Sequence, residues 1–340
     1  MHEPAFWHRP RSFTSHLLRP LGALYGAITA LRMQRKGFEA GVPVVCVGNY
    51  HLGGAGKTPT VLALAKILGE LGERPVVLSR GYGGERRGPV LVDPEKHSAR
   101  EVGDEPLMLA GHLPVVVARD RVDGVALAKS RLASVILMDD GFQNPALAKH
   151  AALIVIDGER GIGNGLVFPA GPLRAPLAPQ LARTDALVVI GRGSAAETVA
   201  AAVAAAGKPV LRAHLEPDAA AVAQLQGKRV LAFAGIGDPG RFFRTLKASG
   251  IEVAQQKAFA DHHRFSAGEI EALVADAKRD DLILVTTEKD RVRLRGDAGL
   301  SALARGIVAF PVTLQFDDAA VLRRFLADRL FKARENLLRG

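Results

Sequence analysis

Residues Pro43–Asn49 read PVVCVGN and run straight into Tyr50–Thr58, YHLGGAGKT. The first stretch is short, apolar and rich in valine, the pattern of a buried strand. The second is glycine-rich and ends in Lys-Thr, and Pro59–Leu71 continues as an amphipathic helix. Strand, glycine-rich loop, Lys-Thr and helix together make a phosphate cradle. The glycines let backbone N–H groups approach phosphate oxygens, and the helix N-terminus adds its partial positive charge. Lys57 would reach the terminal phosphates and Thr58 would offer a hydroxyl to Mg²⁺. The candidate nucleotide-binding residues are therefore His51, Leu52, Gly53, Gly54, Ala55, Gly56, Lys57 and Thr58.

Working outward, Pro75–Ser79, Pro114–Ala118, Ser134–Met138, Leu153–Asp157 and Ala186–Ile190 repeat the apolar strand pattern, with helical segments between them. The expected fold class is α/β, a doubly wound and mostly parallel sheet of the P-loop NTPase type. Asp185–Gly193 is expected to close that sheet. Ser134–Met138 ends in Asp139-Asp140, and a carboxylate at a neighbouring strand tip is where a P-loop protein holds magnesium. A strict loop signature would place glycine where His51 stands. Membrane-associated partitioning ATPases would carry Lys where Leu52 stands, which counts against that class.

The chain has 340 residues, which suggests two domains. With 48% hydrophobic and 24% charged residues it is neither disordered nor collagen-like, and its one cysteine, Cys46, excludes a disulfide scaffold. Of the net +10 charge, residues 1–40 and 321–340 hold most, each with six Lys/Arg against two acids. Basic ends around a near-neutral body suggest a local anionic surface rather than nucleic acid. Leu21–Leu31 is too short an apolar run to span a bilayer. Leu17, Leu21, Leu24, Ile28 and Leu31 form one helical stripe, edged by Phe6, Trp7 and Phe13 and followed by Arg32, Arg35 and Lys36. That pattern fits a helix lying in a membrane interface, and equally a helix packed on the protein's own core.

In the second half, Pro209–Leu215 and Ile307–Phe316 read as two strands enclosing a compact α/β pattern. The expected organisation is an N-terminal helical region over 1–40, a P-loop domain over 41–208 and a smaller α/β domain over 209–316. The two strands would form a hinge. A C-terminal helix over 317–340 is expected to return to the first domain on Leu322, Leu326, Leu330, Ala333 and Leu337.

Several segments together resemble one family: Val47–Pro59 (VGNYHLGGAGKTP), Leu78–Gly84 (LSRGYGG), Val102–Pro106 (VGDEP), Ala118–Arg121 (ARDR), Asp139–Gln143 (DDGFQ), Gly161–Arg174 (GIGNGLVFPAGPLR), Ala234–Phe243 (AGIGDPGRFF), Ala260–Phe265 (ADHHRF) and Thr287–Asp290 (TEKD). In this order they resemble the tetraacyldisaccharide 4'-kinases, from about residue 17 to residue 316. The resemblance implies ATP-dependent phosphorylation of an acylated glucosamine disaccharide 1-phosphate to lipid IVA, with ATP and Mg²⁺ as cofactors. It also implies an anionic membrane surface as partner, at the cytoplasmic face of the bacterial inner membrane. Neither nucleic acid nor an obligate protein partner is implied. Asn144 stands where the family typically has His after DDGFQ, and His51 replaces a Thr.

On sequence alone Asp104 reads as a helix cap. The resemblance instead makes it the base that takes the sugar hydroxyl's proton, assisted by His262, with Lys57 completing the catalytic set. Thr58, Asp139, Asp140 and Glu105 are the candidate magnesium ligands. Arg80, Arg119, Arg121, Gln143, Asn144 and Arg174 are candidates for substrate or phosphate. Asp261-His262-His263 lacks the companion motifs of a DHH phosphoesterase, and His263 is expected at the surface. Two other readings remain. A soluble small-metabolite kinase or ligase would not need the N-terminal helix, and a nucleotide-dependent membrane switch would not need the Asp104/His262 pair.

Overall fold

Along strand β1 (Val44–Gly48), Val44 and Cys46 enter one half of the core while Val45 and Val47 enter the other, so the strand is buried on both faces. A computed structural model describes residues 4–54, 56–296 and 298–339. The strands that follow β1 in the first half of the chain are β2 (Pro75–Ser79), β3 (Val90–Leu91), β4 (Val115–Val117), β5 (Val135–Asp139), β6 (Ala151–Asp157) and β7 (Ala186–Ile190). Then come β8 (Val210–Pro217), β9 (Arg229–Ala234), β10 (Glu252–Ala258), β11 (Ile283–Thr286), β12 (Val308–Ala309) and β13 (Val312–Phe316). Nine of them form one sheet in the order β13-β8-β7-β6-β1-β5-β2-β4-β3, parallel throughout except at β3 and β13 on its two edges. Helices cover both faces, as the doubly wound class requires.

The sheet does not close at Asp185–Gly193. β7 is an interior strand, and β8 and β13 extend the sheet beyond it, paired antiparallel with Leu314 opposite Leu215. Nor is Ile307–Phe316 one strand. Pro311 has no N–H to give a ladder and splits it. Val308 and Ala309 join a second, all-parallel sheet of order β10-β9-β11-β12, while Val312–Phe316 joins the large one. The small sheet has its own core around Phe233, Leu273, Leu284 and Phe243.

The N-terminal helix, Phe13–Met33, starts at a capping box in which Ser12 and Ser15 exchange hydrogen bonds, and it continues through Pro20. The face it turns to the protein is small: Ser15, Gly22, Gly26 and Met33 are buried. A methyl group at Gly22 would lie 2.7 Å from the Val167 carbonyl, and one at Gly26 would lie 3.2 Å from the Pro176 ring. The leucine stripe faces away from the body, its members 51–68% exposed. Trp7 is not at the edge of that stripe. It is buried edge-on against Phe168 and donates to the Pro169 carbonyl at 3.1 Å. Among the described residues no helix is long and apolar enough to cross a membrane.

The C-terminal helix, Ala319–Arg339, buries Leu322, Leu326 and Leu330 in the same core as Leu64 and Leu68 of the helix Lys57–Glu70. Its charge is turned inward as well. Arg323 pairs with Glu70, Arg329 with Asp185 and Arg334 with Glu73, so the expected basic tail is largely neutralised by the protein itself.

Candidate active site

Both sheets end toward the same place. In open parallel sheets ligands bind beyond the carboxyl ends of the strands. Here the loop after β1 comes beside the loop after β9, and the start of the helix Asp104–Ala110 meets His262 in the loop after β10 and Lys289 in the helix after β11. The cradle loop is held from below. Asn49 donates to the Gly53 carbonyl at 3.1 Å, Leu52 N–H to the Pro172 carbonyl at 2.8 Å, and Arg174 Nε to the His51 carbonyl at 3.0 Å. Gly53 and Gly56 have φ of +97° and +85°, which a side chain would strain, and a methyl at Gly56 would lie 2.6 Å from Ile190. Ala55 lies outside the described residues. Lys57 and Thr58 are buried at the start of the helix, with Lys57 Nζ 3.8 Å from Asp140.

Of the expected magnesium ligands, Asp139 fits best. It is buried, its Oδ1 has no hydrogen-bond partner, and burial, then the neighbouring Glu105 and Asp140, push its carboxyl up to about 7. A carboxylate so placed is short of a cation. Magnesium typically takes one or two carboxylates together with substrate phosphates and water, so Asp139 with Thr58 is a sufficient protein set. The other two acids are already engaged. Glu105 receives Lys289 Nζ at 2.5 Å. Asp140 is clasped by both Arg174 Nη atoms at 2.9 and 3.2 Å; against the upward push of its burial, Lys57 and Arg174 hold it down at about 2. Each of these two candidates thus already has a cationic partner.

Asp104 is the first residue of the helix Asp104–Ala110, whose cap position is held by Gly103 at φ +93°, rather than the cap itself. Its Oδ1 accepts from Glu105 N–H at 3.0 Å. Its Oδ2 accepts from His262 Nδ1 at 3.1 Å and from Arg293 Nε at 2.9 Å, with Arg293 Nη2 closer still. Burial alone would raise this carboxyl; the hydrogen bond from His262 and the charge of Arg293 hold it well below the usual carboxylate range. His262 is pushed upward by its bond to Asp104, against its own partial burial. The pair expected from the sequence is therefore joined, but Asp104 is not a loose carboxylate awaiting a proton. His263 is not simply exposed either: it stacks on Phe259 at 4.9 Å and pairs with Glu269 at 3.0 Å.

The remaining candidates divide. Arg80 and Arg119 are exposed beside the site, Arg119 donating to the Gly84 carbonyl at 3.3 Å. Arg121 cannot face a ligand. It is 1% exposed and gives its Nη atoms to the carbonyls of Ala118 and Asp139 at 3.0 and 3.2 Å, which fixes the end of β5. Gln143 donates to the Asn49 carbonyl and Gln180 at 2.8 Å each, and Asn144 turns the chain by accepting from Ala146 N–H. Both shape the loop base. Arg174 is spent on Asp140 and His51.

Sequence reasoning missed Lys289, Arg293, Arg241 and Arg160. Arg241 meets Asp157 at 2.7 Å and Arg160 meets Asp238 at 2.9 Å, so two further ion pairs join the lobes on the far side of the cradle. Gly237 passes so close to the loop that a methyl there would lie 3.7 Å from Gly54 N. The signal for Lys289 and Arg293 was present in TEKDRVR: their i,i+4 spacing puts both on one helix face, with buried Asp290 three residues before Arg293 to hold it at 2.5 Å.

Comparison with known proteins gives this geometry a family. The chain is 70% identical over 335 residues to the tetraacyldisaccharide 4'-kinase of Bradyrhizobium diazoefficiens, covering 98% of both chains. It is 64% identical to that of Nitrobacter winogradskyi, over 98% of this chain and 99% of the relative. Among solved structures it is similar to the "apo" form LpxK from Aquifex aeolicus in complex with ATP, with a TM-score of 0.71 and 28% identity, covering 93% of this chain and 99% of that one. The profile described as Tetraacyldisaccharide-1-P 4'-kinase matches residues 14–330, the cradle loop and the His262–Asp104 contact included, and the chain belongs to that family.

Proposed function

We propose that the chain is an ATP-dependent kinase that transfers the γ-phosphoryl group to the 4'-hydroxyl of a tetraacylated glucosamine disaccharide 1-phosphate, giving lipid IVA in lipid A biosynthesis. The observation that carries this reading is the meeting of the phosphate cradle with a His-carboxylate pair drawn from two lobes. A sugar hydroxyl needs a proton acceptor as the phosphoryl group arrives, and a P-loop alone does not supply one. Lys57 and the cradle N–H groups hold the terminal phosphates, and Asp139 with Thr58 holds Mg²⁺. When bound, the metal neutralises charge building on the transferred group. The chain leaves the large sheet after β8 and re-enters it at β13, and these two crossings serve as a hinge whose closure excludes water from ATP.

The exposed stripe of Leu17, Leu21, Leu24, Ile28 and Leu31 with Phe13 supplies the contact with an anionic membrane surface, helped by Arg32, Arg35 and Lys36. This face lies outward because only the small-residue face of the helix fits the body. The chain would thus work at the cytoplasmic face of the inner membrane. ADP release from ATP should depend on added acylated disaccharide 1-phosphate. ATP turnover at the same rate without the lipid would overturn the kinase reading in favour of a hydrolytic switch.

A further inference from the structure

We propose that Arg293 is a positioning residue for phosphoryl transfer: it pins Asp104 Oδ2 against His262 Nδ1 and so fixes the orientation of the His262 ring. The inference rests on the kinase reading above and on its His262–Asp104 pair, to which it adds a third member.

The geometry is asymmetric. The Asp104 side chain is 6% exposed and both of its oxygens accept from protein donors, whereas the His262 side chain is 33% exposed. Arg293 is held in turn. Its Nη1 donates to the Gly235 carbonyl at 2.6 Å and to buried Asp290 at 2.5 Å, and Asp290 also takes Gly235 N–H at 3.0 Å. The guanidinium is thus fixed by the end of β9 and by its own helix while its Nε edge faces Asp104. With Asp104 accepting at Nδ1, the neutral imidazole carries its proton there and leaves Nε2 as the lone-pair nitrogen. Asp261 Oδ1 lies 3.8 Å from Nε2, and Tyr82 lies edge-on to the ring at 5.7 Å. The charged groups facing His262 are Asp104, Asp261 and Arg293, with Lys289 acting on Asp104 from behind.

In the step itself, the 4'-hydroxyl oxygen forms its bond to the γ-phosphorus as its proton passes to His262 Nε2. The bond from that phosphorus to the β,γ-bridging oxygen breaks, and ADP leaves with the electron pair. The imidazolium, stabilised by Asp104, then releases the proton to solvent.

Arg293→Ala, Arg293→Lys, His262→Ala and the double variant Arg293→Ala/His262→Ala should be compared with the full-length enzyme, using ATP and acylated disaccharide 1-phosphate in detergent micelles. Arg293→Ala should lower kcat about 10–100-fold, with KM for ATP changed less than about threefold. Arg293→Lys should recover part of the loss. Once His262 is absent, Arg293→Ala should cost little more, because it acts through that ring. An equal fold-loss in both backgrounds, or wild-type kcat in Arg293→Ala, would overturn the proposal, as would wild-type kcat in His262→Ala. Melting curves identify a variant that has merely lost its fold; Arg293→Lys then carries the test, and wild-type kcat with Lys while His262 is present, or the same fold-loss with Lys once His262 is absent, would count against it. If the wild-type chain itself leaves the lipid unphosphorylated, the kinase reading fails, independently of Arg293.

Discussion

Asp139 is 2% exposed at the end of β5, with one carboxylate oxygen unpaired and Glu105 and Asp140 close by. Its folded-state value of about 7 lies above the unfolded value of about 3.9. The folded chain therefore binds this proton more tightly than the unfolded one, and stability falls as pH rises from about 4 to about 7. Asp139→Asn should melt higher than wild type at pH 8 in chelator, with the difference shrinking toward pH 4. Magnesium with nucleotide should raise the wild-type melting temperature and leave the variant almost unmoved, and activity should drop steeply. A wild type and variant that respond alike to Mg²⁺ would remove Asp139 from the metal site. Lys57→Ala should abolish turnover with the fold intact, because the lysine compensates β,γ-phosphate charge; near-normal turnover would displace the nucleotide site. The placement of Lys57, Thr58 and Asp139 was legible in the sequence because a strand, a glycine loop and a helix N-terminus fix them locally. Arg293 was not, since its partner lies 189 residues away and only the packing of a second lobe brings them together. Arg121 misled for a related reason: a guanidinium beside an acidic strand tip looks like a phosphate ligand until its burial is known.

The N-terminal helix packs on the body through its small residues and leaves its leucine stripe, the face proposed to meet a membrane, exposed on the other side. Leu24 and Ile28 are 63% and 51% exposed, so Leu24→Glu/Ile28→Glu should change stability by no more than about 0.5 kcal/mol per site. The same pair should abolish flotation with anionic vesicles and leave KM for ATP unchanged. Vesicle binding equal to wild type would show that the stripe does not meet a membrane. Gly22→Ala should do the reverse. Its methyl would press on the Val167 carbonyl at 2.7 Å, costing about 1–3 kcal/mol while leaving the outward stripe intact. The sequence showed the stripe but not which face the body would take, because Ser15, Gly22 and Gly26 carry almost no hydrophobic signal. Close approach needs small residues, and periodicity counts large ones. At the other end, the C-terminal helix was readable from its leucines, yet its charge pointed the wrong way. Glu70, Glu73 and Asp185 absorb arginines that looked free.

The large sheet followed from its alternating strands and helices, while its extent did not: β8 and β13 look like parts of the small domain by sequence position and belong to the large sheet by pairing. Across the whole molecule, Asp104–Arg293 and Glu105–Lys289 on one side and Asp157–Arg241 and Asp238–Arg160 on the other bracket the cradle. Asp157 is buried, so Arg241→Ala leaves a carboxylate without its partner and should favour a more open arrangement. The expected result is a larger radius of gyration by X-ray scattering and a raised KM for ATP; no change in either would mean that this pair does not hold the lobes together. The most direct measurement of the account as a whole is to supply ATP labelled in its γ-phosphate with acylated disaccharide 1-phosphate and to locate the label by ³¹P NMR and fragment masses. The expected result is one labelled phosphate monoester per ATP consumed, on the 4'-oxygen of the sugar that lacks the 1-phosphate. Label released as inorganic phosphate, or found on any other position of the lipid, would contradict it.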